Sequence, residues 1–151
     1  MIDTLEALKD HVGKEIGVTD WLAISQERIQ QFADATGDHQ WIHVDRERAK
    51  RESPFRDTIA HGFLTLSLLP QFMPQVLKIK DGVRMGINYG LNRVRFVSPV
   101  RADSRVRARF TLQSLKDVPP KSVEAVFVAT VECEGSDKPC CVAEWVVRYY
   151  R

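Results

Sequence analysis

The chain has 151 residues, enough for one domain with its own hydrophobic core, and its 44% hydrophobic and 28% charged residues are typical of a globular protein. A formal net charge of +2 is too small to indicate a nucleic-acid partner, and no apolar run is long enough to cross a bilayer. The first 13 residues mix acidic and basic side chains and lack the apolar core of a secretory signal, so we expect a cytoplasmic protein without a membrane partner.

The first part of the chain predicts helix and loop. Residues 1–22 have the pattern of an irregular or helical lead-in with a short strand near 15–22. A helix is predicted to begin after Ser25, whose hydroxyl can accept a hydrogen bond from a free backbone N–H. Gly37 is the expected end of this helix, because glycine readily adopts the left-handed conformation.

Three further segments precede the second half of the chain. Residues 38–43 follow the predicted helix end and are expected to form a loop, and residues 45–51 suit a short exposed helix. The segment 63–77 is apolar on nearly every side, which predicts a buried helix. Pro70 and Pro74 are expected to kink this helix or to split it into two pieces.

The second half of the chain changes to the alternating pattern of strands. The alternation is clearest over 105–112 and 123–132, and residues 85–97 and 142–150 are also strand-like. Four or more antiparallel strands after one buried helix predict an α+β fold, a single domain over 1–151 in which the sheet wraps around the helix. An open sheet leaves an edge strand to pair or protect, which favours a dimer.

The cysteines do not indicate a disulfide framework or a metal site. Their number is odd, Cys140 and Cys141 are adjacent, and Cys133 has no histidine near it, since the last 90 residues contain none. A zinc site would need more ligands at suitable spacing. Buried or half-buried free thiols are therefore expected.

Asp38, His43 and the step His61-Gly62 are the candidates for chemistry. Each has an ordinary structural interpretation, because aspartate is common in turns and a glycine can serve close helix packing. Together, a carboxylate, an imidazole that titrates near neutrality and a free N–H before a buried helix suit the addition of water beside a polarised carbonyl. His61 itself is interpreted as structural rather than catalytic and is a candidate to support the site or line its pocket.

Several other residues are weaker candidates. Ser67 on the buried helix either bonds to the preceding turn or supports the site. The polar run Asn88–Asn92, which includes Tyr89, either lines a pocket or forms a bulge. A group of arginines either forms a solvated strand face or attracts the phosphates of a nucleotide-bearing substrate, namely Arg93, Arg95, Arg101, Arg105, Arg107 and Arg109. No nucleophile elbow and no glycine-rich phosphate loop is present.

The segments Phe32–Asp45 and Ile59–Phe63 closely resemble the hydratase motif of the MaoC-like dehydratases, which include the (R)-specific enoyl-CoA hydratases. The resemblance continues through Ile87–Phe96 and covers nearly the whole chain. The family more often has Asn-Pro at the place of Gln40-Trp41. The Gln-Trp pair resembles the branch related to the nodulation protein NodN. The bulky Trp41 is expected to affect the shape of the acyl pocket.

This resemblance implies a hot-dog fold, in which an antiparallel sheet wraps around a long central helix, usually paired into a homodimer. It implies that Asp38 and His43 activate water for addition to a trans-2-enoyl thioester, and that the Gly62 N–H polarises the thioester carbonyl. The implied substrate is an acyl-CoA or acyl-carrier thioester. No metal or other cofactor is implied beyond the CoA portion of the substrate.

Two alternatives to hydration stay open. One is a hot-dog thioesterase, with Asp38 as the base that hydrolyses the thioester. The other is a non-catalytic, acyl-binding partner subunit of a dehydratase. The presence of both Asp38 and His43 argues against each of them.

Overall fold

A single antiparallel sheet forms the scaffold of the protein in the computed structural model, which describes all 151 residues. Its strand order is β2-β6-β7-β8-β5, and β3 pairs with β6 beyond the end of β2. The six strands are β2 (Glu15–Val18), β3 (Leu22–Ala23), β5 (Met85–Arg95), β6 (Arg105–Val118), β7 (Ser122–Cys133) and β8 (Cys141–Tyr150). A separate parallel pair joins β1 (Ile2–Thr4) to β4 (Ile79–Asp81).

The alternating pattern places an apolar face of this sheet against the helices. Strand β6 buries Val106, Ala108, Phe110 and Leu112 completely, and Phe127 and Trp145 continue the same core on β7 and β8. The opposite face carries ion pairs, in which Arg107 and Arg109 share Glu132, and Arg148 pairs with Glu124. The predicted antiparallel sheet is therefore present, with one dry face and one charged face.

The predicted helix over 63–77 is divided at Leu68. The helices α4 (Gly62–Ser67) and α5 (Leu69–Val76) lie one after the other on the apolar face. Pro70 has no N–H to continue a single helical ladder, but it is tolerated in the first turn of α5. Burial on every side was a wrong expectation, because Phe63 is 69% exposed and only one side of each helix contacts the core.

The remaining helices lie before α4. A 3-10 helix over Glu6–His11 precedes the sheet, and α1 (Gln26–Thr36), α2 (Trp41–Val44) and α3 (Arg46–Glu52) follow β3. The expected loop over 38–43 is wrong in its second half, because residues from Trp41 onward form a helical turn closed by the hydrogen bond from the Asp45 N–H to the Trp41 carbonyl. None of the helices is long and apolar enough to span a membrane.

Helix α1 has the predicted start and end. The Ser25 hydroxyl accepts a hydrogen bond from the Arg28 N–H at 3.1 Å, and Gly37 ends the helix with a φ of 83°. The Gly37 N–H still donates to the Ala33 carbonyl. Asp38 therefore leaves the helix at a sharp change of direction.

Strand β5 is an exposed sheet edge. It pairs only with β8, and its register is interrupted between Asn88 and Gly90 and again between Leu91 and Arg93. Four of its large side chains are 43–60% exposed, namely Met85, Ile87, Tyr89 and Leu91. One side of this strand has no backbone hydrogen-bonding partner.

The end of α1 gives a first prediction. Gly37→Ala should lower the free energy of unfolding by about 1–2 kcal/mol, because a Cβ is strained at positive φ. Gly37→Asn should cost less, since asparagine tolerates the left-handed region. Urea denaturation of both variants measures the difference, and equal losses would show that backbone conformation is not the cause.

Candidate active site

Three predicted residues meet on one side of the helical layer. Asp38 follows the end of α1, His43 lies in α2, and His61 directly precedes α4. The Asp38 Oδ2 lies 3.9 Å from the His43 Nε2 and 4.0 Å from the His61 Nε2. Both rings are buried, whereas half of the Asp38 side chain is exposed.

The proton of the His43 ring is placed by a main-chain contact. Its Nδ1 lies 2.7 Å from the carbonyl oxygen of Ile59, which can only accept, so Nδ1 carries the hydrogen. The Nε2 lone pair then faces Asp38. Burial lowers the pKa of His43, and this outweighs the Ile59 carbonyl and the Asp38 charge, which raise it. The ring is therefore neutral at pH 7 and able to accept a proton at Nε2.

Main-chain contacts hold α2 in place. The Gln26 side-chain amide donates to the His43 carbonyl at 2.8 Å and accepts from the buried Thr58 hydroxyl. The Ile59 N–H donates to the Ile42 carbonyl at 3.0 Å. Sequence analysis missed Gln26, Thr58 and Ile59, because their roles depend on tertiary contacts that no local pattern indicates.

Gly62 has a free backbone N–H. As the first residue of α4 it has no acceptor in the preceding turn, and no other protein group accepts from it. The Phe96 ring lies so close that a Cβ at Gly62 would be 2.9 Å from it. A cavity of about 460 Å³, mostly apolar, opens beside this glycine between Phe55 and Pro99. Any larger residue at position 62 would displace Phe96.

Ser67, Asn88 and Tyr89 line a different cavity, of about 310 Å³, between α4 and the edge strand β5. Trp145 also lines it and donates its indole N–H to the Asn88 Oδ1 at 3.1 Å. The Ser67 hydroxyl donates to the Leu64 carbonyl at 2.7 Å, the bond expected of a serine in a helix. The polar run of β5 therefore both lines a pocket and contains bulges.

Trp41 lies apart from both cavities. The guanidinium of Arg48 covers its ring at 4.2 Å, and neither cavity has Trp41 in its wall. Three of the six predicted arginines form ion pairs with glutamates on the charged face of the sheet, namely Arg105, Arg107 and Arg109. This pairing favours the solvated-face interpretation for these three.

The Asp38, His43 and His61 side chains are close enough to suggest a metal site, since their ligand atoms lie within 4.8 Å of one another. Ring orientation opposes this interpretation. The two imidazoles stack with centroids 3.8 Å apart and planes at 23°, so their nitrogen lone pairs lie in nearly parallel planes and do not converge on one ion. The three cysteines are buried free thiols, and burial raises the pKa of Cys140 to about 12 and that of Cys141 to about 11.

Comparison with known proteins places the chain in a family. Residues 8–133 match the MaoC-like domain. The chain is 53% identical to the 3-hydroxyacyl-thioester dehydratase Z of Mycobacterium tuberculosis over 97% of each chain. It is 46% identical to the nodulation protein N of Rhizobium leguminosarum over 95% of this chain and 89% of that one.

A solved structure shows the same fold. The structure of a monoamine oxidase regulatory protein from Archaeoglobus superposes with a TM-score of 0.82 at 23% identity, covering 99% of this chain and 95% of that one. The predicted hot-dog fold is thereby confirmed. The chain belongs to the MaoC-like dehydratase family, in its NodN-like branch.

Proposed function

We propose that this protein is a hydro-lyase that reversibly hydrates trans-2-enoyl thioesters, with CoA as the carrier, to (R)-3-hydroxyacyl thioesters. The observation that carries the proposal is the pairing of the Asp38 carboxylate with the neutral His43 Nε2 at 3.9 Å. The dehydratase relative and the resemblance to (R)-specific hydratases support the same reaction class. The cytoplasmic location stays a prediction from the sequence.

The distance between the two groups suits one bridging water. The separation of 3.9 Å between the Asp38 Oδ2 and the His43 Nε2 is too long for a direct hydrogen bond, but a water can contact both atoms. Its oxygen adds to C3 of the substrate while one member of the pair removes its proton. The pair then returns a proton to C2, so that the elements of water are added with no oxidation or reduction. Because the two groups are coupled, the proton transfers belong to the pair.

Gly62 supplies the electrophilic contact in this proposal. Its free N–H donates a hydrogen bond to the thioester carbonyl oxygen and stabilises the negative charge that develops there, an effect of about 3–4 kcal/mol where such donors have been removed from other enzymes. Glycine has no side chain that could block the approach of the carbonyl to this N–H. The chemistry needs no cofactor beyond the carrier of the acyl group.

We also propose that two copies of the chain pair through strand β5. This strand has an unpartnered edge and four exposed large side chains, a combination that monomeric proteins usually avoid. Tyr89 and Leu91 belong both to this edge and to the wall of the cavity near Ser67. A second copy on β5 would thus also cover one side of that cavity.

Substitution of the pair gives the central prediction. Asp38→Asn and His43→Gln should each lower the rate of crotonyl-CoA hydration by at least about 100-fold, because each removes a group that transfers a proton. His39→Gln is the matched control, since this neighbouring histidine is exposed and pairs with Asp34 instead. Absorbance at the enoyl-thioester band measures the rate. Wild-type rates in either variant would contradict the mechanism.

Two further measurements test the alternatives to hydration, a thioesterase and a partner subunit. Release of free CoA thiol, followed with a thiol reagent, would indicate a thioesterase. A purified protein that is inactive until a second protein is added would indicate a partner subunit. Hydration by the chain alone, without thiol release, is the expected result.

The lowered pKa of His43 predicts the pH dependence. As the pH falls, kcat/KM for hydration should decline through the pKa of His43, because protonation removes the Nε2 acceptor. This decline should lie below about 6.5, the ordinary value for histidine. Hydration rates from pH 4.5 to 8 measure the profile, with His39→Gln as the control. A midpoint above the ordinary value would contradict the assignment.

The dimer is tested at the exposed edge. Ile87→Lys with Leu91→Lys should convert a dimer into a monomer, because charges there oppose strand pairing. Val12→Lys is the matched control, since Val12 is 42% exposed while Ile87 and Leu91 are each 43% exposed. Sedimentation equilibrium gives the mass. This interface would be excluded if the wild-type protein is a monomer, or if the doubly substituted protein is still a dimer.

A further inference from the structure

We infer that His61 is a positioning residue of the active site: its ring holds the Asp38 main chain through one nitrogen and supports the His43 ring by stacking. This inference rests on the proposed hydration reaction and assigns a role to a residue that the sequence indicated as structural. It depends on two contacts and on one unpaired nitrogen, each of which involves a different part of the imidazole.

The first contact is a hydrogen bond to Asp38. The His61 Nε2 lies 3.0 Å from the Asp38 carbonyl oxygen, which can only accept, so the hydrogen is on Nε2. The only other hydrogen bond of Asp38 is local, from the Gln40 N–H to Oδ1 at 3.3 Å. His61 is therefore the one group outside this loop that holds the main chain of Asp38 in position by a hydrogen bond.

The second contact is the stack with His43. The two rings lie 3.8 Å apart, and Phe32 contacts the His61 ring at 4.9 Å. His61 thus excludes water from one face of His43. Burial is the largest cause of the lowered pKa of His43; of the two titratable groups that face the ring, His61 lowers this pKa further and Asp38 raises it. The stack therefore favours the neutral ring that accepts a proton.

The third observation concerns the remaining nitrogen. The His61 Nδ1 is buried and has no hydrogen-bond partner, and the residue as a whole is 3% exposed. An unpaired buried acceptor is unfavourable, and a phenylalanine could occupy the same space without it. A histidine at this position is explained by the need for a donor at Nε2 together with a flat ring.

Two substitutions separate these two contributions. His61→Phe keeps the ring and removes the donor, whereas His61→Gln keeps an amide donor near the Nε2 position and removes the ring. We expect His61→Phe to lower kcat by roughly 10-fold or more at little changed KM, since a displaced catalytic group costs rate more than binding. We expect His61→Gln to retain more of kcat and to move the pKa of His43 upward.

The readouts do not all depend on activity. Nitrogen-15 NMR of the histidine rings gives the pKa of His43 and the tautomer of His61 in the wild-type protein and in both variants. The pH profile of hydration gives the same pKa from kinetics. His39→Gln is the control for an exposed histidine, and urea denaturation shows whether each variant is folded.

The outcomes are distinct. A wild-type kcat in His61→Phe, or an unchanged His43 pKa in His61→Gln, would overturn the inference. A wild-type His61 with its proton on Nδ1 would also overturn it, and this measurement requires no variant. If the wild-type protein does not hydrate enoyl thioesters, the proposed function fails, while the NMR results still decide whether His61 controls the state of His43.

Discussion

The hydrogen bond from the His43 Nδ1 to the Ile59 carbonyl joins the two halves of the candidate active site. It connects α2, which follows the first helix, to the segment that leads into α4, 16 residues later in the chain. The Ile59 N–H returns a bond to Ile42, so the two segments are held by a reciprocal pair of contacts. This arrangement fixes the ring tautomer and the distance from His43 to the His61-Gly62 step at the same time.

The sheet supports these segments, and the candidate catalytic residues do not lie on its strands. Its apolar face supports α4 and α5 through completely buried side chains such as Phe110 and Phe127, which pack with little freedom to move. The other face neutralises its arginines with glutamates such as Glu132. The candidate functional groups lie instead at helix ends and in the short segments between them, where side chains and free N–H groups can be directed toward a ligand.

Local patterns predicted much of this structure because many of its causes are local. Ser25 and Gly37 mark the ends of α1 by capping and by backbone conformation, and the strand periods mark the sheet. The role of Gln26 was not predictable, because its amide contacts residues 17 and 32 positions away in the chain. The exposure of Phe63 was also missed, since composition alone does not reveal which side of a short helix meets the core.

Strand β5 connects the pocket to the proposed dimer interface. Tyr89 and Leu91 line the cavity beside Ser67 and also lie on the unpaired edge of the sheet. The indole of Trp145 fixes Asn88 from the neighbouring strand, so the bulged part of β5 is held from one side only. Pairing with a second copy would supply the missing backbone partners on the other side and restrict the same residues. On the proposed dimer, the shape of the cavity would therefore depend on the interface as well as on the fold of one chain.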